Sequence, residues 1–435
     1  MRRLLAAAIL LSWPAVLPAQ HADSIRSLGD AVRAARAASE SGDWKAAQRA
    51  LKAGLVFSPD NPALVYNLAR AEARSGDRAS ALRHLERLAR QGVAREVTED
   101  SAFKSLRGSL QFRRIAERLA AAAAPVTRSD TAFVLPDPDF IPEGIAWDPR
   151  DGAFYVGSLN GRGIVRVTGD TVASWIRPES TQRVMALGLR VDPLGQRLWV
   201  ASLVPDSAAP RFLRGIGGWA ALEAYQIPTG RRVGRWVPDS SGPHLFNDIA
   251  IVSGRDVYVT DSEGSALFRV PDGAGALERV HHDPARFTYP NGIATSADGS
   301  RLYVASWEGL TRFDLASTGK PSPERVPAAP GVATTGIDGL YRCGSSLLAV
   351  QYLLDFPQIT QLMLSGDGES IADARALERR HPAQTSPTTG APAGSAFFYL
   401  ANAQLERLGP DHTVGVGSGE HSVVLRLPLG EPCGG

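Results

Sequence analysis

The larger part of the chain repeats one short unit, and that repetition limits what it can fold into. Tyr289 to Trp307 holds an apolar strand, a polar turn at Asp298-Gly299, and a second strand, Leu302 to Ser306, rich in β-branched and aromatic residues. Two such strands around a Gly turn are a hairpin signal. The unit recurs as Glu143-Gly-Ile-Ala-Trp to Ser158, Leu187-Gly-Leu-Arg-Val to Ser202, and Asn247-Asp-Ile-Ala-Ile to Ser262. In all four copies the first residue stands 15 positions before a Ser. Asp338-Gly-Leu-Tyr-Arg to Tyr352 is a fifth copy with a shorter turn, and Ser386-Pro-Thr-Thr-Gly390 to Asn402 is a looser sixth. Further apolar strands follow the hairpins, such as Gly163 to Val167 and Thr171 to Ile176. Four strands in about 45 residues make a propeller blade. Residues 132–435 therefore read as an all-β six-bladed β-propeller, closed by Ala132 to Leu135 or by Val423 to Leu427. The longer second copy carries a Pro/Gly/Arg-rich loop between Val204 and Gly218, which could lie over one face.

Ahead of the propeller the apolar spacing is helical, as at Ala47, Leu51 and Leu55. Ser41-Gly-Asp-Trp and Ser75-Gly-Asp-Arg open two matching segments 34 residues apart. That offset is the period of tetratricopeptide repeats, so residues 23–124 resemble a tetratricopeptide-like α-helical module with a trailing helix, Gln111 to Ala122. Residues 125–131 read as the linker, and the fold class is multidomain: helical module, then propeller. Such repeats commonly bind protein partners, and a packing or spacer role is the alternative.

The first residues describe a secretory signal peptide. Arg2-Arg3 precedes a short apolar run, and a small residue follows at a plausible cleavage point, giving 1–19 as the leader. The mature chain is expected to be periplasmic or secreted. The run is too short to cross a bilayer core of about 30 Å, so no membrane span is expected. Formal net charge is +2, which argues against nucleic acid as a partner. Two cysteines, Cys343 and Cys433, rule out a disulfide-dense scaffold and a thiolate zinc cluster, and leave one disulfide possible.

The first residue of each repeat carries the chemistry. These are Glu143, Leu187, Asn247, Asn291, Asp338, and Pro387 or Thr388. Inner strands line a propeller's central channel, so equivalent positions form a ring. Taken singly, an Asn, Asp or Glu before Gly is a turn residue. Four oxygen-bearing side chains at one repeat phase, two of them carboxylates, point instead to a hard divalent ion. Ca²⁺ fits best, with Zn, Mn or Mg possible. The predicted ligands are Glu143, Asn247, Asn291 and Asp338.

Pro142-Glu143-Gly144, Phe246-Asn247-Asp248, Pro290-Asn291-Gly292 and Ile337-Asp338-Gly339 resemble, in order and spacing, the metal-site motifs of the senescence marker protein/gluconolactonase family, also called regucalcin-like. The resemblance covers about residues 135–430 and implies a central divalent cation and lactone hydrolysis. It implies Glu143, Asn291 and Asp338 as direct ligands, and Asn247 as a further ligand or substrate contact. It also implies Asp338 as general base. Asn247-Asp-Ile and Asn291-Gly-Ile are similar, too, to paraoxonases and strictosidine-synthase-like proteins.

Two departures bear on the substrate. The family's sugar-lactone hydrolases have an Arg where this chain has Leu245, and paraoxonases have a His where it has Leu187. Met185, Leu187, Leu245, Trp307 and Tyr352 are then expected to line an apolar mouth, suited to a hydrophobic lactone or ester. His244 is a second candidate catalytic group, for proton transfer or substrate orientation. His281-His282 reads as a solvated loop pair. The expected function is a divalent-metal-dependent hydrolase of lactones or related esters. The alternative is a non-catalytic metal-containing propeller that binds a small ligand while the helical module docks a protein partner.

Overall fold

The computed structural model describes residues 25–177, 185–205, 218–238, 242–252, 256–272, 275–315, 321–352, 357–408 and 419–433. The leader at 1–19, and most of the loop between Val204 and Gly218, lie outside the described residues.

Five helices come first: α1 (Leu28–Glu40), α2 (Trp44–Phe57), α3 (Pro62–Arg74), α4 (Arg78–Arg90) and α5 (Leu110–Ala121). Their starts are written in the sequence. Ser27, Asp43, Asn61, Asp77 and Ser109 each cap a helix by accepting a backbone N–H, and Pro62 opens α3. Gly42 and Gly76 hold positive φ in the α1–α2 and α3–α4 turns. Ala47 and Ala81 are fully buried, so no side chain separates the crossing helices. Tyr66, Arg70 and Arg74 stand at i, i+4 and i+8 on one face of α3. They bind the chain's own next segment, through Asp100 for Tyr66 (2.6 Å) and Arg70 (2.9 Å), and Ser101 for Arg74 (2.7 Å).

From Asp130 the chain forms six antiparallel four-stranded sheets. The innermost strands are Pro142–Trp147, Met185–Asp192, Phe246–Ile251, Ile293–Thr295, Ile337–Cys343 and Gly390–Ala393, in blades one to six. The sequence left two candidates for closing the ring, and both take part. Asp130–Val134 pairs with Val423–Pro428 and becomes the outer strand of blade six. The linker is not slack. Val126 bridges to Arg379 of blade five, and buried Glu378 accepts from Ser129 N (2.9 Å) and the Ser129 hydroxyl (2.6 Å). Cys343 and Cys433 are joined in a disulfide that ties the C-terminal segment to blade five.

His281-His282 departs from expectation. The pair lies in the outer strand of blade three, Glu278–His282. His281 packs its ring against Phe287 and Phe313, and neighbouring Val280 packs on the same cluster, where the strand's register shifts by one residue.

The helical module sits on the rim of blades four and five. Asp60 is buried there and accepts from Arg325 (2.8 Å), Thr334 N (2.8 Å) and the Thr334 hydroxyl. Among the described residues no helix is long and apolar enough to cross a membrane.

Candidate metal centre

The repeat-opening residues do form a ring. A Cβ on Gly144 would lie 1.8 Å from Leu187 O, and one on Gly188 would lie 2.1 Å from Asn247 O. Each Gly is required because the next blade's ring residue packs against it. Blade three continues to blade four through Thr260, whose hydroxyl donates to Asn291 O (2.8 Å). Asn291 Nδ2 donates to Asp338 Oδ1 at 2.6 Å. Thr388 and Thr389 donate to Glu143 O and close the circle, so Thr388 rather than Pro387 is the sixth position.

Register slips help to aim these side chains. The innermost strand pairing breaks between Pro142 and Ile145, Ala186 and Leu189, Phe246 and Ile249, and Ile337 and Gly339. These bulges span the ring residues, and a bulge re-aims the side chain it carries.

Glu143, Asn247 and Asn291 are buried, and Asp338 is partly exposed. Burial and the neighbouring carboxylates of Asp338 and Asp248 push the Glu143 carboxyl well up. Burial pushes Asp338 up to about 7, against the lowering effect of the Asn291 bond. Glu143 Oε2 and Asn291 Oδ1 are buried with no hydrogen-bond partner. Two buried acceptors without a protein donor, one of them on the Glu143 carboxyl, together with the raised carboxyl of Asp338, fit a hard cation. Asn247 donates to the Ser262 hydroxyl (3.1 Å), which in turn donates to Pro290 O (2.7 Å). The donor set leans on amides. Among the described residues no three His, Cys, Asp or Glu side chains group to hold an ion.

Asp248 is the residue that sequence reasoning passed over. The other blades with a matching motif have Gly at this position. Here a buried carboxylate accepts from Ile249 N (2.8 Å) and Ile293 N (3.3 Å) and pairs with Arg190 at 3.5 Å. Arg190 also donates to Ile249 O (2.9 Å) and lies over the Tyr341 ring, 5.2 Å from its centroid. The broken Gly pattern was the available signal.

The two candidate catalytic groups belong to separate pairs. His244 is buried, with Nδ1 bonded to Asp261 Oδ2 at 2.5 Å. The other oxygen of Asp261 accepts from Leu245 N (2.9 Å) and Gly264 N (3.0 Å), which fixes its orientation. Met185, Leu187 and Leu245 share one buried apolar cluster, with Tyr289 packed at its edge. Tyr352 is half-buried within electrostatic reach of Asp338. Trp307 is stacked on Tyr289 and packed against the helical core.

No curated protein matches the chain significantly. Its structural neighbours are gluconolactonase- and regucalcin-like propellers. A gluconolactonase from Xanthomonas campestris is 18% identical with TM-score 0.44, over 71% of this chain and 93% of that one. A calcium-binding protein, regucalcin, from Agrobacterium tumefaciens is 17% identical with TM-score 0.45, over 70% and 96%. A luciferin-regenerating enzyme is 13% identical with TM-score 0.46, over 71% and 97%. The family model described as "Tetratricopeptide repeat" matches residues 38–110, so the helices ahead of the propeller form a tetratricopeptide-repeat module.

Proposed function

We propose that the chain is a divalent-metal-dependent hydrolase of lactones or related esters. The observation that carries this is the ring itself: four oxygen-bearing side chains at one repeat phase, with Glu143 Oε2 and Asn291 Oδ1 buried and unpaired. Glu143, Asn291 and Asp338, with Asn247, would hold the ion, Ca²⁺ by preference. When bound, it would polarise a substrate carbonyl and favour the negative charge that develops on its oxygen. Asp338 is then the proton acceptor. One of its oxygens is held by Asn291, which fixes the orientation of the carboxyl. Water adds to the carbonyl carbon as its proton passes to Asp338. That proton goes on to the ring oxygen as the C–O bond breaks. His244, oriented by Asp261, would steady the substrate. The substrate class comes from the motif resemblance, and the apolar Met185, Leu187 and Leu245 favour a hydrophobic acyl portion.

A periplasmic or secreted location belongs to the same proposal, and the Cys343–Cys433 disulfide supports an oxidising compartment. The deciding assay is turnover of aliphatic and sugar lactones with Ca²⁺, Zn²⁺, Mn²⁺, Mg²⁺ or chelator. Metal-dependent turnover, lost in Asp338→Asn, is expected. No turnover under any metal would remove the hydrolase reading.

One observation favours the second reading, a metal-containing propeller that only binds a ligand. Leu187 and Leu245 bring no polar group to the mouth and are buried. A partner at the Tyr66–Arg74 face of the helical module would have to compete with the chain's own Asp100 and Ser101, which those side chains already bind.

A further inference from the structure

We propose that the helical module is a working part of the channel site: it holds Trp307, Trp307 holds Tyr289, and Tyr289 closes one side of the ring. The inference rests on the metal-centre reading above and assigns Tyr289 and Trp307 as positioning residues.

The seam between the two parts is a desolvated polar latch. Asp60 takes three donors from the propeller side, and Arg325 also donates to Phe57 O (2.6 Å). The Ser58 hydroxyl donates to Trp307 O (3.3 Å), and Gln91 donates to Asp60 O (2.8 Å). Such a seam holds one relative placement, unlike a module tethered by a linker alone.

Trp307 stands in this seam. It packs against the core of α1, α2 and α3. It also stacks on Tyr289, with ring centroids 5.6 Å apart and planes 28° apart. Tyr289 in turn reaches the Met185–Leu187–Leu245 cluster of blades two and three, although it belongs to blade four.

Tyr289 has φ +52, a conformation that bulky residues avoid. It persists because its neighbours over-determine it. Trp307 N donates to Thr288 O (3.0 Å), Thr288 N donates to Glu308 (2.9 Å), and Asn291 N donates to Ala305 O (2.8 Å). The backbone turn that carries Tyr289 is thus the turn that delivers Asn291 to the ring. Strain of this kind gathers at functional sites. The phenol lies within electrostatic reach of Asp338 and Glu143.

The physical effect is on dielectric. An apolar, clamped aromatic wall keeps water from the carboxylates, and an ion is then held by a less screened attraction. Releasing the wall admits water and weakens the hold.

The test is calcium titration of the full chain by calorimetry. It uses the wild type, Trp307→Ala, Trp307→Phe and Asp60→Ala, with circular dichroism and metal-free melting as fold controls. Trp307→Ala is expected to raise the calcium Kd about tenfold, in the range of ordinary inter-site coupling. Trp307→Phe keeps an aromatic stack and should return Kd close to wild type. Asp60→Ala touches no channel residue and should still raise Kd. A merely structural role would lower melting temperature and leave Kd unchanged. Wild-type affinity in both Trp307→Ala and Asp60→Ala overturns the inference while the metal centre stands. Should Trp307→Ala fail to fold, Asp60→Ala decides alone. A wild type that binds no divalent ion overturns the metal-centre reading and this inference with it.

Discussion

Asn291 Nδ2 donates to Asp338 Oδ1 at 2.6 Å across the seam between blades four and five. The bond orients both side chains and leaves Asn291 Oδ1 with no protein donor. Asn291→Ala removes an oxygen donor and frees the Asp338 carboxyl at once. Calcium affinity should fall by at least about tenfold, the low end for disturbing a metal ligand's supporting partner. The calcium-induced rise in melting temperature reports it.

The raised carboxyls give a pH dependence with a defined sign. Asp338 rises from an ordinary 3.8 to about 7 when folded, and Glu143 is also pushed up. The folded chain therefore holds protons that the unfolded chain would release. The associated stability is full below about pH 4 and is lost as pH rises through about 7. With chelator present, the melting temperature should fall between about pH 5 and pH 8. Saturating calcium should cancel most of that fall, because the ion replaces the protons. Asp338→Asn should flatten it.

Ring closure depends on buried Glu378, which takes the Ser129 N–H and hydroxyl as the chain enters Asp130–Val134. Glu378→Ala leaves the Ser129 N–H buried and unpaired, at about 1–3 kcal/mol, while the hydroxyl keeps the Tyr399 hydroxyl at 3.5 Å. Hydrogen exchange should speed up first in the amides of Asp130–Val134, with the inner strands protected. Uniform acceleration across all blades would contradict this account of closure.

The disulfide spans a sequence separation of 90 residues, between Cys343 and Cys433. Disulfides typically stabilise by about 2–4 kcal/mol, and long loops lie at the upper end of that range or above it. Cys433→Ser should lower the melting temperature accordingly, and a reductant should do the same to the wild type and nothing further to the variant.

Much of this was legible in the chain because its signals are local and repeated. The 34-residue offset and the capping residues Asp43 and Asp77 mark the helix pairs. The shared phase of Glu143, Asn247, Asn291 and Asp338 marks the ring, since equivalent positions of a propeller meet at its axis. Asp248 was legible in principle as an Asp in a Gly position, but its role depends on Arg190 from a different blade. Trp307 was legible only as a candidate wall of the mouth, and the roles that it and Tyr289 take at the seam were not legible. Their importance comes from how the helical module docks, and no periodicity within either part reports a contact between the two. His244 was visible as a histidine near the motif, and its partner Asp261 was hidden by a sequence separation of 17 across strand and turn.

The most direct test of the central claim is calorimetric titration of the metal-free chain with Ca²⁺, Zn²⁺, Mn²⁺ and Mg²⁺, beside Asp338→Asn and Glu143→Gln. The account predicts one site per chain, calcium among the ions bound, and loss of that site in both variants. Binding of no divalent ion, or a calcium site unchanged in both variants, would contradict it.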